Sequence, residues 1–270
     1  MSDVAAVVVD IDDTLLNSRG RASSRTVEAL RACAAKGIGV YVATARTERM
    51  VFRDGEIEDG AFLKRRGVYV SGAVARDEDL GVVFEWPLPV DVSSVVARRM
   101  VEIDPDMQVI LQRHRDFHAF KKPLDEKRLR LWGIGPEDLI PFDEALSRVC
   151  SRVVGIEGRV PLSRVNDELM RESPGALGSL VARAGWMQVT APEATKAAAL
   201  SALLAKRDID AARVAAFGDD TTDIGMLSLV GYSFAMGNAR DEVKAAARHV
   251  TASNDDDGIA VALGDVLGLL

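Results

Sequence analysis

The chain has 270 residues, of which 48% are hydrophobic and 28% are charged, and its formal net charge is −7 at pH 7. This length and composition can supply a sizeable core for one large domain or two smaller ones. The net negative charge argues against a nucleic-acid partner held by general electrostatics, because the phosphate backbone would be repelled. A small anionic substrate would need local cations to hold it.

The cysteines and the hydropathy bear on the cellular compartment. Cys33 and Cys150 lack the further cysteine pair that a zinc site needs, and we interpret them as buried reduced thiols, which fits a cytoplasmic protein. No apolar stretch approaches the roughly 18 residues of a membrane span, and no secretory signal pattern begins the chain. We therefore expect neither export nor membrane insertion, and the oligomeric state stays open.

The first predicted strand is the apolar run 4–9, which ends in an acidic turn with Asp10, Asp12 and Asp13. Small and β-branched apolar residues are typical of a buried parallel strand, and ligands bind at the carboxyl ends of such strands. Three carboxylates so close together repel one another, which favours a bound cation or one protonated acid. An acidic turn that only caps the strand is the alternative, and the motif alone does not decide.

Apolar periodicity and turn residues predict the elements that follow. Up to the break at Pro87 and Pro89 we expect a helix capped by Ser23 or Ser24, a strand at 38–43, a helix at 48–52, a strand at 67–73 and a hairpin at 73–86. After the break we expect helices at 92–103 and 143–150 and strands at 107–112, 117–120 and 152–156. We interpret 85–190 as an inserted α/β domain that interrupts a core made of 1–84 and 191–270.

Two further positions bring groups that suit an anion. The strand at 38–43 ends in Thr44 and Arg46, although Thr44 alone could be a helix cap. Lys196 lies in the first turn of a predicted helix, where a cation opposes the helix dipole unless an anion shares the site. A bound phosphate explains Lys196 better than helix stability does, and an exposed, screened lysine is the alternative.

A second acidic cluster follows the predicted strand 213–217, in the segment 218–223. Asp220 or Thr221 could cap the next helix, and Asp223 could favour its first turn through the helix dipole. Capping accounts for one acid and not for three. The rest of the chain predicts a strand at 232–235 and helices at 239–247 and 255–267, with Asn238 and Asn254 in turns.

This order of elements predicts a mostly parallel sheet that is covered on both faces. In such a sheet the turn after the first strand, the Thr44 segment, Lys196 and the segment 218–223 meet in one crevice. The acids there can hold a hard divalent ion, and Mg²⁺ is the natural choice. Thr44 and Lys196 would then face an anion. One carboxylate of the first turn would be free for proton transfer.

Taken together, the motifs resemble those of haloacid dehalogenase (HAD) superfamily phosphatases, and most closely the Cof-type branch with a large α/β cap. The segments that carry the resemblance are 10–14, 44–46, Lys196, 218–223, 234–239 and 253–258. The resemblance implies a Rossmann-like parallel-sheet core with the cap inserted between the second and third motifs. Three positions depart from the branch pattern: Asp13 and Ala45 where Gly is usual, and Thr222 where Asn is usual.

The resemblance also implies roles for the reacting groups. Asp10 would attack phosphorus and form an aspartyl-phosphate, and Asp12 would act as the general acid and base. Thr14 would fix the turn and orient Asp12. The Thr44 hydroxyl and the Lys196 ammonium would hold phosphoryl oxygens.

The implied cofactor is Mg²⁺, held by the Asp10 carboxylate, the Asp12 backbone carbonyl and the Asp219 carboxylate, with Asp223 in support. The implied reaction is hydrolysis of a small phosphorylated metabolite, with a sugar phosphate the first class to consider. A phosphosugar mutase with the same Asp pair and a non-catalytic metabolite sensor that kept the fold stay open as alternatives.

The predicted insertion contains a basic, His-containing segment in an otherwise acidic chain. Substrate sites are common between domains, and we expect the leaving group of the substrate to lie between core and cap. Arg113, His118 and Lys121, together with Arg46 of the core, are the candidate substrate contacts. Solvated turn residues are an equally good interpretation of this segment, because charge runs are usually solvated.

Overall fold

The computed structural model describes residues 3–51, 56–58, 60–156, 158–182 and 185–269. Contacts between residues divide the chain into two compact units. The core unit contains Met1–Phe84 and Thr195–Leu270, and the inserted unit contains Glu85–Ala194. A search of the described residues finds no helix with the length and apolar character of a membrane span.

The strands are short, as is usual in α/β proteins. They are β1 (Ala6–Val9), β2 (Gly39–Ala43), β3 (Arg66–Tyr69), β4 (Val74–Asp77), β5 (Val82–Glu85), β6 (Gln108–Arg113), β7 (Phe117–Phe120), β8 (Arg152–Ile156), β9 (Gly178–Ala182), β10 (Trp186–Thr190), β11 (Val214–Gly218), β12 (Tyr232–Ala235) and β13 (His249–Val250).

The α-helices range from one turn to four. They are α1 (Ser24–Ala35), α2 (Glu48–Val51), α3 (Val90–Ile103), α4 (Glu126–Leu131), α5 (Phe142–Ala145), α6 (Leu162–Glu172), α7 (Lys196–Lys206), α8 (Ile224–Leu229), α9 (Asp241–Ala246) and α10 (Gly258–Val261). Short 3-10 helices lie at Gly60–Arg65, Val70–Gly72, Pro136–Asp138, Ala211–Arg213, Thr221–Asp223 and Asn254–Asp256, and π-type turns at Ile11–Leu15 and Ala262–Val266.

The core unit is built on a sheet with the strand order β13-β12-β11-β1-β2-β3-β4-β5. The strands from β13 to β3 run parallel, and β4 runs antiparallel to β3. All four residues of β1 are buried, because β2 and β11 flank this strand and helices cover the sheet. The predicted α/β fold with a parallel sheet is confirmed.

This strand order decides which turns become neighbours. Because β1 pairs with β2 on one side and with β11 on the other, the turns after these three strands lie at one edge of the sheet. After β1 the chain continues to β2 on one side of it, and it later adds β11 on the other side. Ligands of α/β proteins bind at the sheet edge where the strand order reverses in this way.

The inserted unit contains a separate antiparallel sheet with the order β7-β6-β8-β10-β9. Helices α3 and α6 pack on this sheet and bury Met100, Val109, Val153, Val165 and Met187. This arrangement gives the unit an apolar core of its own, as expected for an α/β segment that folds around its own sheet.

The strand expected at 67–73 is wrong in length, because β3 ends at Tyr69 and the left-handed backbone of Val70 and Ser71 cannot continue a strand. Further local differences from the prediction lie in the inserted unit. The helix expected at 143–150 is wrong in length, because α5 ends at Ala145. The chain must turn there so that Cys150 can bridge to Leu88, whose backbone N–H donates to the Cys150 carbonyl at 2.8 Å. Helix α6 was not predicted, although Leu162, Val165 and Leu169 recur at helical spacing and are buried.

Candidate active site

The acidic turn after β1 has a backbone shape that separates its carboxylates. Asp12 is extended with ψ 131°, and Asp13 is left-handed with φ 56°. The turn closes because Leu15 N–H donates to the Asp10 carbonyl at 3.2 Å and Leu16 N–H donates to the Ile11 carbonyl at 2.8 Å. As a result Asp10 is buried, whereas Asp12 and Asp13 are exposed.

Lys196 joins the first acidic turn to the second. It is the first residue of α7, whose N-cap is the side chain of Thr195. Its buried Nζ donates to Asp10 Oδ1 at 2.6 Å and to Asp223 Oδ1 at 2.7 Å. Burial by itself would lower the pKa of Lys196, but the two carboxylates outweigh it and raise that pKa, so the side chain stays charged. The carboxylates therefore already supply the anion that we expected beside this cation.

The turn after β11 is held from within by Asp223. Its Oδ2 accepts from the backbone N–H groups of Asp219 and Asp220, both at 3.1 Å. Thr14 Oγ1 donates to Asp219 Oδ1 at 2.8 Å. We expected Thr14 to orient Asp12, but its hydroxyl bonds to the turn after β11 instead. Together these bonds connect the turns that follow β1 and β11.

Three carboxylates lie close enough together to bind one cation. One oxygen from each of Asp10, Asp219 and Asp223 lies within 4.8 Å of the others. Both oxygens of Asp223 already accept hydrogen bonds. Among the described residues, only one oxygen of Asp10 and one of Asp219 has a side-chain donor, which leaves the second oxygen of each for a metal.

The pKa values of Asp10 and Asp219 also favour a bound cation. Burial raises the pKa of Asp219 to about 7, and the charges of Asp223 and Asp13 add to the effect. Burial also raises the pKa of Asp10 well above its ordinary value; Lys196 opposes this effect, and Asp223 and Asp219 reinforce it. Crowded, poorly solvated carboxylates favour a hard divalent cation, so these residues fit Mg²⁺.

Asp12 is held away from the cluster by an ion pair. Arg46 Nε donates to Asp12 Oδ2 at 2.9 Å, and Arg46 Nη2 donates to Asp12 Oδ1 at 2.5 Å. The third nitrogen of the fork, Nη1, donates to Glu56 Oε2 at 2.6 Å. Arg46, which we expected at the substrate, thus pairs with two acids of the core unit, and sequence reasoning missed Glu56.

Thr44 follows β2 at the same edge of the sheet and is fully buried. Its backbone N–H donates to the Val68 carbonyl at 2.9 Å, and its carbonyl accepts from Ser71 N–H at 3.0 Å. Its Oγ1 accepts from Arg46 N–H at 3.1 Å. With the backbone fixed in this way, the hydroxyl proton of Thr44 is the group that it can offer to an anion.

The segment 70–72 packs against the residue that precedes Lys196. Val70 and Ser71 are both left-handed, with φ 54° and 55°, and Gly72 has φ 109°. A Cβ on Gly72 would lie 2.2 Å from the carbonyl carbon of Thr195, so only glycine allows this approach to the start of α7. The pattern of apolar and polar residues in the sequence does not indicate this contact.

The candidate substrate residues of the inserted unit have local partners. Arg113 donates to Glu85 at 2.5 Å, Lys121 Nζ donates to the Pro105 carbonyl at 2.6 Å, and buried His118 stacks on Phe120 at 6.4 Å. Their role in substrate recognition stays a prediction.

The sequence analysis missed a buried arginine of the same unit. Arg152 donates to the side-chain oxygens of Gln112 at 2.7 Å and Gln188 at 2.8 Å, which lie on neighbouring strands. Burial lowers its pKa to about 10. An arginine at the start of a strand is usually exposed, so the sequence pattern does not indicate that this one is buried.

Comparison with known proteins decides the family. Residues 7–263 match the family described as haloacid dehalogenase-like hydrolases. This chain belongs to that family. The predicted HAD membership and the predicted enzyme class, a hydrolase, are confirmed. The HAD-like hydrolase has relatives of similar length: a candidate phosphatase of Haemophilus influenzae is 29% identical over 266 residues, which cover 96% of each chain.

Further relatives and structures agree with this membership. The 5-amino-6-(5-phospho-D-ribitylamino)uracil phosphatase YcsE of Bacillus subtilis is 26% identical, over 97% of this chain and 95% of its own. The structure of the HAD subclass IIB sugar phosphatase BT4131 matches with a TM-score of 0.81 at 25% identity, over 99% of this chain and 100% of that chain. A candidate HAD/Cof-like hydrolase of Plasmodium vivax shares the fold with a TM-score of 0.85 at 23% identity, over 100% of this chain and 97% of its own.

Proposed function

We propose that this HAD-like hydrolase is a Mg²⁺-dependent phosphatase that acts on a small phosphorylated metabolite through an aspartyl-phosphate on Asp10. The observation that carries the proposal is the group formed by buried Asp10, buried Lys196 and half-buried Asp219, which three separate parts of the chain contribute. Sugar phosphates are the first substrate class to test, because one similar structure is that of a sugar phosphatase.

In the first step, an oxygen of Asp10 forms a bond to phosphorus while the bond between phosphorus and the ester oxygen breaks. Asp12, as the carboxylic acid, gives its proton to the departing oxygen, which leaves as an alcohol. In the second step, water attacks the phosphorus, Asp12 takes a proton from that water, and Asp10 is released. Two displacements replace one difficult displacement, which is the benefit of a covalent intermediate.

Two donors would hold the phosphoryl oxygens in both steps. Lys196 stays protonated because Asp10 and Asp223 stabilise its charge, and its burial prevents screening by water. Two hydrogen bonds fix the backbone of Thr44, and its hydroxyl, whose oxygen accepts from Arg46 N–H, has a proton to offer. Donors fixed before the reaction stabilise developing negative charge without reorganising, which is a large contribution to catalysis.

The residues that would hold Mg²⁺ are Asp10 and Asp219, through the carboxylate oxygens that Lys196 and Thr14 leave open, together with the backbone carbonyl of Asp12. A bound Mg²⁺ would offset the repulsion between the anionic nucleophile and the anionic phosphoryl group. Asp223 orients Lys196 and the backbone of Asp219 and does not need to bind the metal itself.

The pair between Arg46 and Asp12 bears on the proton transfer. A carboxylate that accepts both arms of an arginine fork cannot at the same time give a proton to a leaving group. We therefore infer that Asp12 works after it leaves Arg46, and its exposure of 56% in the ion pair leaves it room to move.

The test is release of inorganic phosphate from a panel of phosphorylated sugars, nucleotides and alcohols, with Mg²⁺ or with a chelator. Asp10→Asn should lower the rate by at least about 10³-fold, while Asp143→Asn, which changes an exposed acid of the inserted unit, should leave it unchanged. Rapid quenching should trap phosphate on the parent protein and not on Asp10→Asn. An active Asp10→Asn would overturn the proposal.

The same assay separates the alternative functions. A phosphatase releases one phosphate for each ester consumed, whereas a mutase returns the phosphoryl group to sugar and releases none. A protein that binds the metabolites but hydrolyses none of them with Mg²⁺ present would be a sensor.

A further inference from the structure

Two asparagines of the core unit, Asn238 and Asn254, were singled out by the sequence as turn residues. In the structure both contact the turn that carries the proposed reacting groups. We define the catalytic turn as residues 10–16, the second acidic turn as residues 218–223, and the Asn238 loop as residues 236–240.

Asn238 binds the catalytic turn at its left-handed residue. Asn238 Nδ2 donates to the Asp13 carbonyl at 2.8 Å. The turn's own closing bonds, from Leu15 and Leu16, go to Asp10 and Ile11, so the Asp13 carbonyl takes no part in them. Asn238 thus donates a hydrogen bond to the left-handed residue of this turn, which directly follows Asp12.

Asn254 fixes the orientation of Asn238 and holds the far end of the turn. The backbone N–H of Asn254 donates to Asn238 Oδ1 at 3.0 Å, so the amide of Asn238 must turn its nitrogen toward Asp13. Asn254 Nδ2 donates to the Leu16 carbonyl at 2.9 Å. The two asparagines therefore hold the catalytic turn at its middle and at its end.

The Asn238 loop also contacts the second acidic turn. The backbone N–H of Met236 donates to the Gly218 carbonyl at 3.0 Å, and Arg240 Nη2 pairs with Asp220 Oδ2 at 3.1 Å. The loop itself is held close to the chain before Asn254, because a Cβ on Gly237 would lie 2.8 Å from Ser253 N. One loop thus bonds to both turns whose acids the proposed reaction uses.

We propose that Asn238 is a positioning residue for the general acid: through the Asp13 carbonyl it sets the orientation of Asp12 relative to Asp10, and Asn254 holds Asn238 in place. This inference rests on the role proposed above for Asp12. A displacement of about 1 Å at a reacting group can lower a rate by about 10²-fold, so one lost hydrogen bond at this point has a measurable effect.

Exposure makes the inference testable. Asn238 and Asp13 lie at the surface, so replacing Asn238 creates no cavity and buries no unpaired group. Asn238→Ala removes both bonds of the amide. Asn238→Asp keeps the shape and the acceptor for Asn254 N–H but loses the donor to Asp13, and it serves as the second variant if Asn238→Ala is unstable.

The readout is kcat/KM for two classes of ester. An alkyl phosphate needs its leaving oxygen protonated, whereas the phenolate of p-nitrophenyl phosphate leaves with little help from an acid. Both variants should lower kcat/KM by about 10- to 100-fold for the alkyl ester and by less than about 3-fold for the aryl ester. Asn254→Ala should show the same pattern to a smaller extent.

The matched control is Asn17→Ala. Asn17 Oδ1 accepts from the backbone N–H groups of Arg19 and Arg21 at 3.0 and 3.2 Å, in a loop that follows the catalytic turn. Its loss should change the melting temperature about as much as Asn238→Ala does and leave both kcat/KM values unchanged.

Two outcomes would overturn the inference. One is an equal loss for both ester classes, which would point to general damage of the site. The other is parent-level kcat/KM for both esters with only a lower melting temperature, which would make Asn238 a structural residue. In either case an inactive Asp10→Asn would show that the proposed function itself still stands.

Discussion

Lys196 Nζ lies 2.6 Å from Asp10 Oδ1, although the two residues are 186 positions apart in the chain. Both side chains are buried, and Asp223 completes the group on the other side of the ammonium. A buried cation between two carboxylates is stable only while all three are present, because the loss of one partner leaves uncompensated charge. The same three residues therefore control both folding and the proposed chemistry.

Replacing this lysine should have a pH-dependent cost. We expect Lys196→Met to abolish hydrolysis and to lower the free energy of unfolding by about 3–5 kcal/mol at neutral pH. The loss of stability should be smaller in acid, because burial raises the pKa of Asp10 and the carboxyl can then bind a proton in place of the ammonium. Denaturant melts at about pH 5 and about pH 8 measure this difference.

Lys206→Met, in the last turn of the same helix, is the matched control for the lysine. Its side chain is exposed, so its replacement should leave stability unchanged at both pH values. An equal loss of stability at both pH values in Lys196→Met would contradict the electrostatic explanation.

Metal binding should depend on the protonation of Asp219. Burial raises the pKa of this carboxyl to about 7, so in the metal-free protein its stability contribution falls as pH rises from the unfolded value toward about 7. Mg²⁺ must displace the proton, so its affinity should rise with pH and level off above about 7. The shift in melting temperature that Mg²⁺ causes, measured from about pH 5.5 to about pH 8.5, tests this expectation.

Asp219→Asn gives the comparison for the metal experiment. The amide keeps the shape of the side chain and has no proton to lose, so the shift caused by Mg²⁺ should be small at every pH. A pH-dependent shift of parental size in this variant would place the metal on other residues.

Gly72 should be intolerant of a side chain for a reason that goes beyond its positive φ. In Gly72→Ala the new Cβ would meet the backbone of Thr195 at 2.2–2.7 Å, next to Lys196. We expect a loss of about 3 kcal/mol in unfolding free energy, from about 1 kcal/mol for the left-handed backbone and about 2 for the overlap. We also expect lower activity, because relief of the overlap would displace the start of α7.

Gly81→Ala separates these two contributions. Gly81 also has a positive φ, of 63°, but a Cβ there would meet no atom within 4 Å. This variant should lose only about 1 kcal/mol and keep full activity. Equal losses in the two variants, by chemical denaturation, would show that the approach to Thr195 has no effect.

Arg46 should be sensitive even to a conservative change. Lysine keeps the charge but cannot hold both oxygens of Asp12 and Glu56 at once, because it lacks the planar fork. We expect Arg46→Lys to lower kcat by about 10-fold and stability by less than about 1 kcal/mol, since Asp12 is half exposed. Arg49→Lys, three residues later, is the control, and an unchanged kcat in Arg46→Lys would exclude a catalytic part for the ion pair.

The sequence by itself determined the elements of the core and the family. Buried strands such as β1 and β11 are dictated by runs of apolar residues, and the start of α1 is dictated by Ser23, whose side chain caps it as predicted. These features depend on neighbours within a few positions, so one sequence suffices to find them. The order of the polar groups along the chain then indicated the family, which the comparisons confirmed.

Only the tertiary structure decided which side chains meet. Thr14 bonds to Asp219 instead of Asp12, Arg46 pairs with Asp12, and Asn238 reaches Asp13 across 225 positions of the chain. Hydrophobic periodicity contains no information about such partners, because it records burial and not identity. The partners are chosen by the strand order, which brings the turns after β1, β2 and β11 to one edge, and by close packing there, which leaves each polar group few neighbours to bond.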